Sequence, residues 1–392
     1  MVPRPSPVDL GRRQNRHEKE YRTFMQVQNG CPVERLEVKT YRVPTDAPES
    51  DGTLQWDHTD VVLVTVEGGG NTGVGWTYAS TATGDLILEL LSEAVVGRSL
   101  FAIEAAWAEM HRRLRNVGVR GAGSMAVAAV DTALWDLKAR FLGVPLVDLF
   151  GRVRDVVELY GSGGFTSYTD ERLTEQMAYY AIAGFKSVKM KVGRDASADL
   201  RRVRVARAAI GDSTQLFVDA NGAYSRKQAL DLAQQFAAIA AVTWFEEPLS
   251  SRDLAGLRLL RDRGPAGMDI SAGEYGDTLG YFRAMLEADS LDCLQADVTR
   301  CGGYTGFIKV AALCDAYEMP LSAHCAPQLH AHIGCATSRL RHVEYFHDHQ
   351  RVESLLFDGV LPAVRGSLQP DRTRGGHGMV LKQPDAENYR YR

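Results

Sequence analysis

The chain predicts an α/β fold in which a closed barrel of eight parallel strands follows a smaller α+β domain. Three observations carry that expectation. From residue 156 onward, short apolar segments alternate with amphipathic ones, the pattern of strands buried between helices. Eight such strand segments fall within about 190 residues, a spacing that suits a closed barrel better than an open dinucleotide-binding sheet. Carboxylates also recur at the ends of successive segments, close to one per strand–helix unit.

Composition narrows the function. A chain of 392 residues holds one large domain and a smaller one. Hydrophobic residues at 45%, charged residues at 24% and a formal net charge of -4 describe an ordinary globular protein rather than one that coats a polyanion. No basic stripe or zinc-finger spacing points to nucleic acid, and no run of about 18 apolar residues points to a membrane span. Cys31, Cys293, Cys301, Cys314, Cys325 and Cys335 form no CxxC pair, which fits a reduced, cytoplasmic compartment. Each reads as a small buried hydrophobe, with Cys301 and Cys325 placed to line a pocket. Residues 1–32 are polar and carry Arg12, Arg13, Arg16, His17, Lys19 and Arg22 without a secretory core, so they read as a mobile extension.

Residues 33–151 read as the first domain. Strands are expected at 33–38, 60–66 and 72–78, with a turn-rich loop over 44–56. Helices are expected at 83–93, 101–112 and 121–141. In the last, Val130, Leu134 and Leu137 share one face, and Gly143-Val144-Pro145 ends it. Residues 152–356 read as the barrel, with strands at 156–160, 187–192, 216–219, 242–246, 268–272, 293–296, 320–323 and 341–344. Helices at 171–183, 198–210, 226–239, 281–288 and 306–317 fill the gaps between them. The glycine-rich turn Gly161-Ser162-Gly163-Gly164 lacks a dinucleotide fingerprint, which argues against a nicotinamide cofactor. The glycine-rich tail, 357–392, is expected to return across the first domain.

The chemistry centres on Lys189 and Lys191. Both fall on one face of the strand, opposite Val188, Met190 and Val192. Two neighbouring buried ammonium groups depress one another's pKa, so a lysine neutral near pH 7 is expected, fit to take a proton from carbon. Asp219, Glu246 and Glu274 end three consecutive strands, 27 and 28 residues apart. Three carboxylates at one rim repel unless a cation sits between them, and oxygen-only ligands suit Mg²⁺, with Mn²⁺ second. Glu247 follows as a ligand through water or a lysine partner. Asp297 and His324, 27 residues apart on the next two strand ends, form an acid–imidazole pair that orients a second base. Glu344 ends the last strand and, if protonated, donates to a substrate oxygen. A metal-bound carboxylate substrate would then lose its α-proton to Lys191 or His324, with Lys189 meeting the charge of the enediolate.

The ordered set Lys189-Met190-Lys191, Val218-Asp219-Ala220-Asn221, Phe245-Glu246-Glu247-Pro248, Gly273-Glu274, Asp297 with Cys301-Gly302-Gly303, Ser322-Ala323-His324 and His342-Val343-Glu344 resembles the mandelate racemase subgroup of the enolase superfamily. The resemblance runs from about residue 33 to the C-terminus. It implies a modified TIM barrel of the (β/α)7β type under an α+β capping domain completed by the C-terminal tail. It further implies one essential Mg²⁺ on Asp219, Glu246 and Glu274, Lys191 as one base, and the His324–Asp297 dyad as the other. Members are usually homo-oligomers, from dimers to octamers. Specificity in the family comes from capping-domain loops, here 44–56 and 77–84, with 22–31 as a further contributor. Thr299, Arg300, Gln328 and His330 add polar groups near the rim, which favours a polyhydroxylated small-molecule carboxylate. The expected reaction is dehydration of a sugar acid to a 2-keto-3-deoxy acid. Racemisation or epimerisation of an α-hydroxy acid is the alternative, and cycloisomerisation comes third.

Overall fold

A computed structural model describes residues 30–391. Residues 1–29 of the expected N-terminal extension, and with them most of 22–31, lie outside the described residues, whereas Cys31 is buried and Pro32 bridges to Ser99, so the last residues of that extension are packed rather than mobile. Three antiparallel strands open the chain in the order β1 (Arg35–Ser50), β2 (Gln55–Gly68), β3 (Asn71–Thr77). The expected loop at 44–56 is shorter than the sequence suggests. The strands continue through it, with a bulge between Pro44 and Glu49, and only residues 51–54 turn. Pro44 and Pro48 lie on β1, an edge strand, where a missing N–H costs no ladder bond.

Helix Ala122–Leu142 lies across β3, and glycine lets it come close. A Cβ on Gly75 would stand 2.4 Å from the Ala129 carbonyl oxygen, and one on Gly73 would stand 2.2 Å from that of Ala133. The helix buries Ala126, Ala129, Val130, Ala133, Leu134 and Leu137 with Val62, Val64 and Val66 in one apolar cluster.

Eight parallel strands form the barrel: β4 (Val157–Gly163), β5 (Ser187–Lys191), β6 (Gln215–Asp219), β7 (Val242–Glu246), β8 (Asp269–Ala272), β9 (Cys293–Ala296), β10 (Leu321–Ala323) and β11 (Leu340–Phe346). Each pairs with the next, and β11 pairs with β4 to close the ring. Alternation along β5 turns Val188 and Met190 to the main apolar core and Lys189 into the barrel, where it packs over Tyr160. Below the lysines, Tyr160, Phe217 and Trp244 form an aromatic layer with His342, and Phe217 stacks on Trp244 at 5.3 Å. The barrel is therefore filled beneath its carboxyl-end rim.

Three helices, Leu254–Arg263, Pro327–Ala336 and His347–Leu356, complete the alternation where the sequence offered weak signals. Pro327–Ala336 is buried along nearly its whole length, so it shows no amphipathic face. The tail pairs Ser367–Leu368 with β4 and Val380–Leu381 with Phe357–Asp358. It then meets the edge of β1, where Arg42 N donates to Tyr389 O at 2.8 Å and Tyr391 N to Thr40 O at 2.9 Å. The fold is a modified TIM barrel capped by an N-terminal α+β domain.

Gly75→Ala forces the helix off β3, because two of its three nearest contacts, Ala129 O and Ala133 N, are backbone. The expected cost is about 1–3 kcal/mol, read as a lower midpoint in urea denaturation.

Candidate active site

Strand register sets the rim. Lys191 is the Cα partner of Asp219, and Asp219 of Glu246, so one level of the barrel carries all three. The next strand ends add Glu274, Asp297, His324 and Glu344. Carboxylate oxygens of Asp219, Glu246 and Glu274 lie within 4.8 Å of one another, and all three residues are buried. Lys191 Nζ donates to Asp219 Oδ2 at 2.5 Å. Lys189 Nζ donates to Glu246 and lies 2.8 Å from Glu344 Oε1 and 3.5 Å from Asp219 Oδ2. Asn221 N and Trp244 Nε1 hold the outer oxygens of Asp219 and Glu246 at 2.9 and 3.0 Å.

The turns after these strands are tight. Asn221, Glu247, Cys325 and Ala326 all adopt positive φ, between 37° and 52°. Gly273 precedes Glu274 at φ 135°, and a Cβ there would meet the Gln295 carbonyl oxygen at 2.1 Å. Left-handed non-glycine residues of this kind concentrate where a site over-determines the backbone.

Charge decides what the rim holds. Asp219, Glu246, Glu247, Glu274, Asp297 and Glu344 are all buried, and the fixed cations among them are Lys189, Lys191 and Arg300. With the His324 imidazolium added, six carboxyl groups face four cations. Burial, then Glu274, Asp219 and Glu246, push Glu247 well above the usual carboxylate range. Burial also raises Glu246, Lys189 opposing it. Buried Glu247 Oε1 and Asn221 Oδ1 accept no hydrogen bond. An all-oxygen set with more carboxyl groups than cations and with orphaned acceptors fits a hard divalent ion, and Mg²⁺ suits it.

Two expectations about protonation change. Burial favours a neutral Lys191, but Asp219 outweighs it and holds the ammonium form above its usual range. Lys189 likewise stays charged, with Glu246 and Glu344 overcoming burial. The facing acids, unseen in the strand's own alternation, reverse the mutual depression expected of the pair. Glu344 is not the protonated donor expected. It accepts from Ser162 Oγ at 2.6 Å and Cys325 N at 3.1 Å, and Lys189 and His324 overcome burial to keep it ionised.

His324 Nδ1 lies 2.9 Å from Asp297 Oδ2, while Asp297 Oδ1 accepts from Thr299 N and Oγ1 at 2.7 Å each. Burial opposes Asp297 ionisation, but His324 and Arg300 pull its pKa down to about 2. His324 Nε2 points away from Asp297, 3.3 Å from Glu274 Oε2. Burial disfavours the imidazolium, and Cys325, Glu274, Glu344 and Asp297 together outweigh it.

The sequence-predicted binding residues divide. Arg300 lines the cavity while reaching Glu274 Oε1 at 3.3 Å and Asp297 Oδ2 at 3.6 Å, so it braces the acids. Thr299 turns its hydroxyl to Asp297. Gln328 lies outside the cavity lining and pairs both ends of its amide with the Leu361 backbone, at 3.1 and 2.8 Å. His330 bridges Val298 N and Cys325 O, at 2.9 and 2.8 Å, and so ties two rim turns together.

A cavity of about 390 Å³ opens above the rim. Lys191, Glu274, Arg300, His324 and Glu344 form its floor, and Asp51, His58, Asp60, Tyr78 and Ser80 of the first domain form its wall. Tyr78 stacks on His349 at 3.4 Å and donates to Glu353 Oε1 at 3.1 Å, which seats the wall on the barrel. This contact leaves no trace in the sequence, since aromatic–imidazole stacking has no periodicity.

A capped parallel barrel with three rim carboxylates, a lysine pair and an aspartate–histidine dyad defines the class. Residues 35–151 match the mandelate racemase / muconate lactonizing enzyme N-terminal domain, and residues 172–386 match the enolase C-terminal domain-like family. The chain belongs to the enolase superfamily, in its mandelate racemase/muconate lactonizing enzyme-like subgroup. It is 34% identical to a 3,6-anhydro-alpha-L-galactonate cycloisomerase of Streptomyces coelicolor, over 89% of this chain and 97% of that one. It is 28% identical to an L-talarate/galactarate dehydratase of Salmonella typhimurium, over 84% and 85%. A mandelate racemase/muconate lactonizing enzyme-like protein from Rubrobacter xylanophilus superposes with a TM-score of 0.90 at 54% identity, covering 92% of this chain and all of that one. A racemase from Streptomyces coelicolor A3(2) with bound magnesium superposes at 0.86 and 31% identity, with coverage of 92% and 100%.

Because Glu246 and Glu247 are raised toward protonation, Mg²⁺ competes with protons at this rim. Binding is expected to release protons and to strengthen as pH rises, measured by calorimetry in buffers of differing ionisation enthalpy. Glu274→Gln should weaken Mg²⁺ in the same assay by about tenfold or more.

Proposed function

We propose that the protein eliminates a β-oxygen from a sugar acid after removing the proton α to its carboxylate, most simply as a dehydration to a 2-keto-3-deoxy acid. One observation carries the reading. The candidate bases flank the metal triad, Lys191 against Asp219 and His324 Nε2 against Glu274. A carboxylate held at the triad therefore has a proton-transfer group on either side of its α-carbon.

Bound Mg²⁺ supplies Lewis-acid stabilisation of the charge that develops on the substrate carboxylate. The chain supplies the rest. Lys189, fixed in its charged form, adds a buried positive charge beneath the same oxygens. Asp297 fixes the orientation of His324, leaving Nε2 to take or return a proton. Lys191 would act as the second base with Asp219 engaged by the metal instead of by the lysine. Whichever group does not take the α-proton is placed to protonate the departing oxygen. The polar wall of Asp51, His58, Asp60, Tyr78 and Ser80 suits a substrate rich in hydroxyls.

A second reading has a specific basis in the similarity to the 3,6-anhydro-alpha-L-galactonate cycloisomerase. Both reactions begin with the same deprotonation. They differ in whether the β-oxygen leaves as water or stays tethered in the opened ring. Racemisation or epimerisation uses the same two groups without a departing oxygen.

Sugar acids and anhydro-sugar acids incubated with Mg²⁺ in D₂O, followed by proton NMR and a 2-keto-acid assay, separate these outcomes. A keto acid formed with loss of water supports dehydration. A keto acid that keeps every oxygen of its substrate signifies ring opening, and α-deuteration alone signifies racemisation. Lys191→Ala and His324→Asn are each expected to lower kcat by about 10²–10⁴-fold while Mg²⁺ still binds. Wild-type turnover in both variants would defeat the two-base reading.

A further inference from the structure

A second metal-binding geometry lies in the same cavity, beside the oxygen triad. His324 Nε2, Cys325 Sγ and Glu344 Oε2 form a buried triangle with sides of 3.3, 3.6 and 3.4 Å. Zinc bonds of about 2.0–2.1 Å to nitrogen, about 2.3 Å to thiolate and about 2.0–2.2 Å to carboxylate, at tetrahedral angles, set ligand atoms roughly 3.4–3.6 Å apart. The sides of the triangle therefore fall within about 0.3 Å of those of one face of a tetrahedral site. The geometry points to a thiophilic divalent-cation site on His324, Cys325 and Glu344, distinct from the Mg²⁺ triad and taking Zn²⁺ or Co²⁺.

The surroundings complete the case. Metal-binding histidines hold their other nitrogen on a carboxylate, which is what Asp297 does for Nδ1. Glu344 is braced through Oε1 by Ser162 and Lys189, which leaves Oε2 turned to the triangle. Cys325 sits at φ 52° with Ala326 at φ 39°, a left-handed turn that Cys325 N→Glu344 Oε2 and Ala326 N→His349 Nδ1 hold in place. That turn aims the thiol at His324. All three residues line the cavity, so an ion has an entry path.

Softness sorts the two sites. The triad offers only oxygens and favours a hard ion, whereas the triangle offers nitrogen, sulfur and oxygen. On binding, the Cys325 thiol releases its proton to solvent and the sulfur lone pair forms the metal bond. An ion there occupies His324 Nε2 and takes that base out of proton transfer. The inference is independent of which acid the enzyme turns over.

The test is a Co²⁺ titration of the full-length protein held in excess Mg²⁺, read by absorption. A near-ultraviolet thiolate-to-cobalt charge-transfer band with visible four-coordinate bands is expected in the wild type. Cys325→Ser should lose the charge-transfer band and bind Co²⁺ at least about tenfold more weakly. Cys301→Ser, which removes a buried thiol outside the triangle, should keep the band. A wild-type protein saturated with Co²⁺ but showing no charge-transfer band overturns the site without recourse to any variant. A band that survives Cys325→Ser overturns it equally.

Discussion

Six buried carboxylates at one rim are the constraint on which the rest of the structure depends. Each ion removed from water carries a penalty of several kcal/mol even after relaxation. The barrel tolerates the group because cations are shared. Lys189 alone serves Glu246, Glu344 and Asp219, and Arg300 serves Glu274 and Asp297. Sharing of this kind requires strand register. A slip of one residue on β5 would turn both lysines into the surrounding apolar core and strand the acids. The residual negative charge is what makes a divalent ion part of the site rather than an addition to it.

The first domain also holds one turn of this rim by its backbone. Thr77 donates to Thr299 O at 2.7 Å, Trp107 to Gly302 O at 2.8 Å, and Ser124 to Arg300 O at 2.6 Å. Asp131 accepts from Thr305 N and Oγ1 at 2.9 and 2.6 Å. Three side chains of one domain thus clamp the backbone between Asp297 and the helix Gly303–Ala316, and a fourth, Asp131, holds the first turn of that helix. That backbone carries Arg300 and sets where Asp297, and through it His324, can stand. The cap is a positioning frame for the dyad as well as a wall for substrate.

The legibility of the site followed from which physical signals are local. Eight strands were readable because burial on both faces writes an apolar run into each one. The acids at their ends were readable because a strand–helix unit has a nearly fixed length. Protonation was not readable. Lys191 and Lys189 lie two residues apart, so their repulsion shows in the sequence, but the carboxylates that overcome it come from β6, β7 and β11. Gln328 misled for a related reason. It is polar and follows His324 closely, yet it begins a buried helix whose partner, Leu361, arrives from the distant tail. The loop at 44–56 failed through composition, since prolines that mark a turn elsewhere are harmless on an uncovered strand edge.

Backbone strain ties these levels together. Asn221, Glu247, Cys325 and Ala326 each spend left-handed geometry where glycine would be easier, and each follows a rim residue by no more than two positions. Strain of order 1–3 kcal/mol at such a residue persists only if neighbours fix it. Here the fixing bonds come from other rim groups, as Glu344 holds Cys325 N and Ser271 O accepts from Glu247 N. A non-glycine residue places a side chain at a turn that glycine would leave bare. Asn221 Oδ1, Glu247 Oε1 and Cys325 Sγ are those side chains, and two of the three are buried acceptors without a partner in the protein. At Asn221 and Glu247 the strained turn and the unsatisfied acceptor therefore coincide, and the bent backbone sets those polar atoms at the rim.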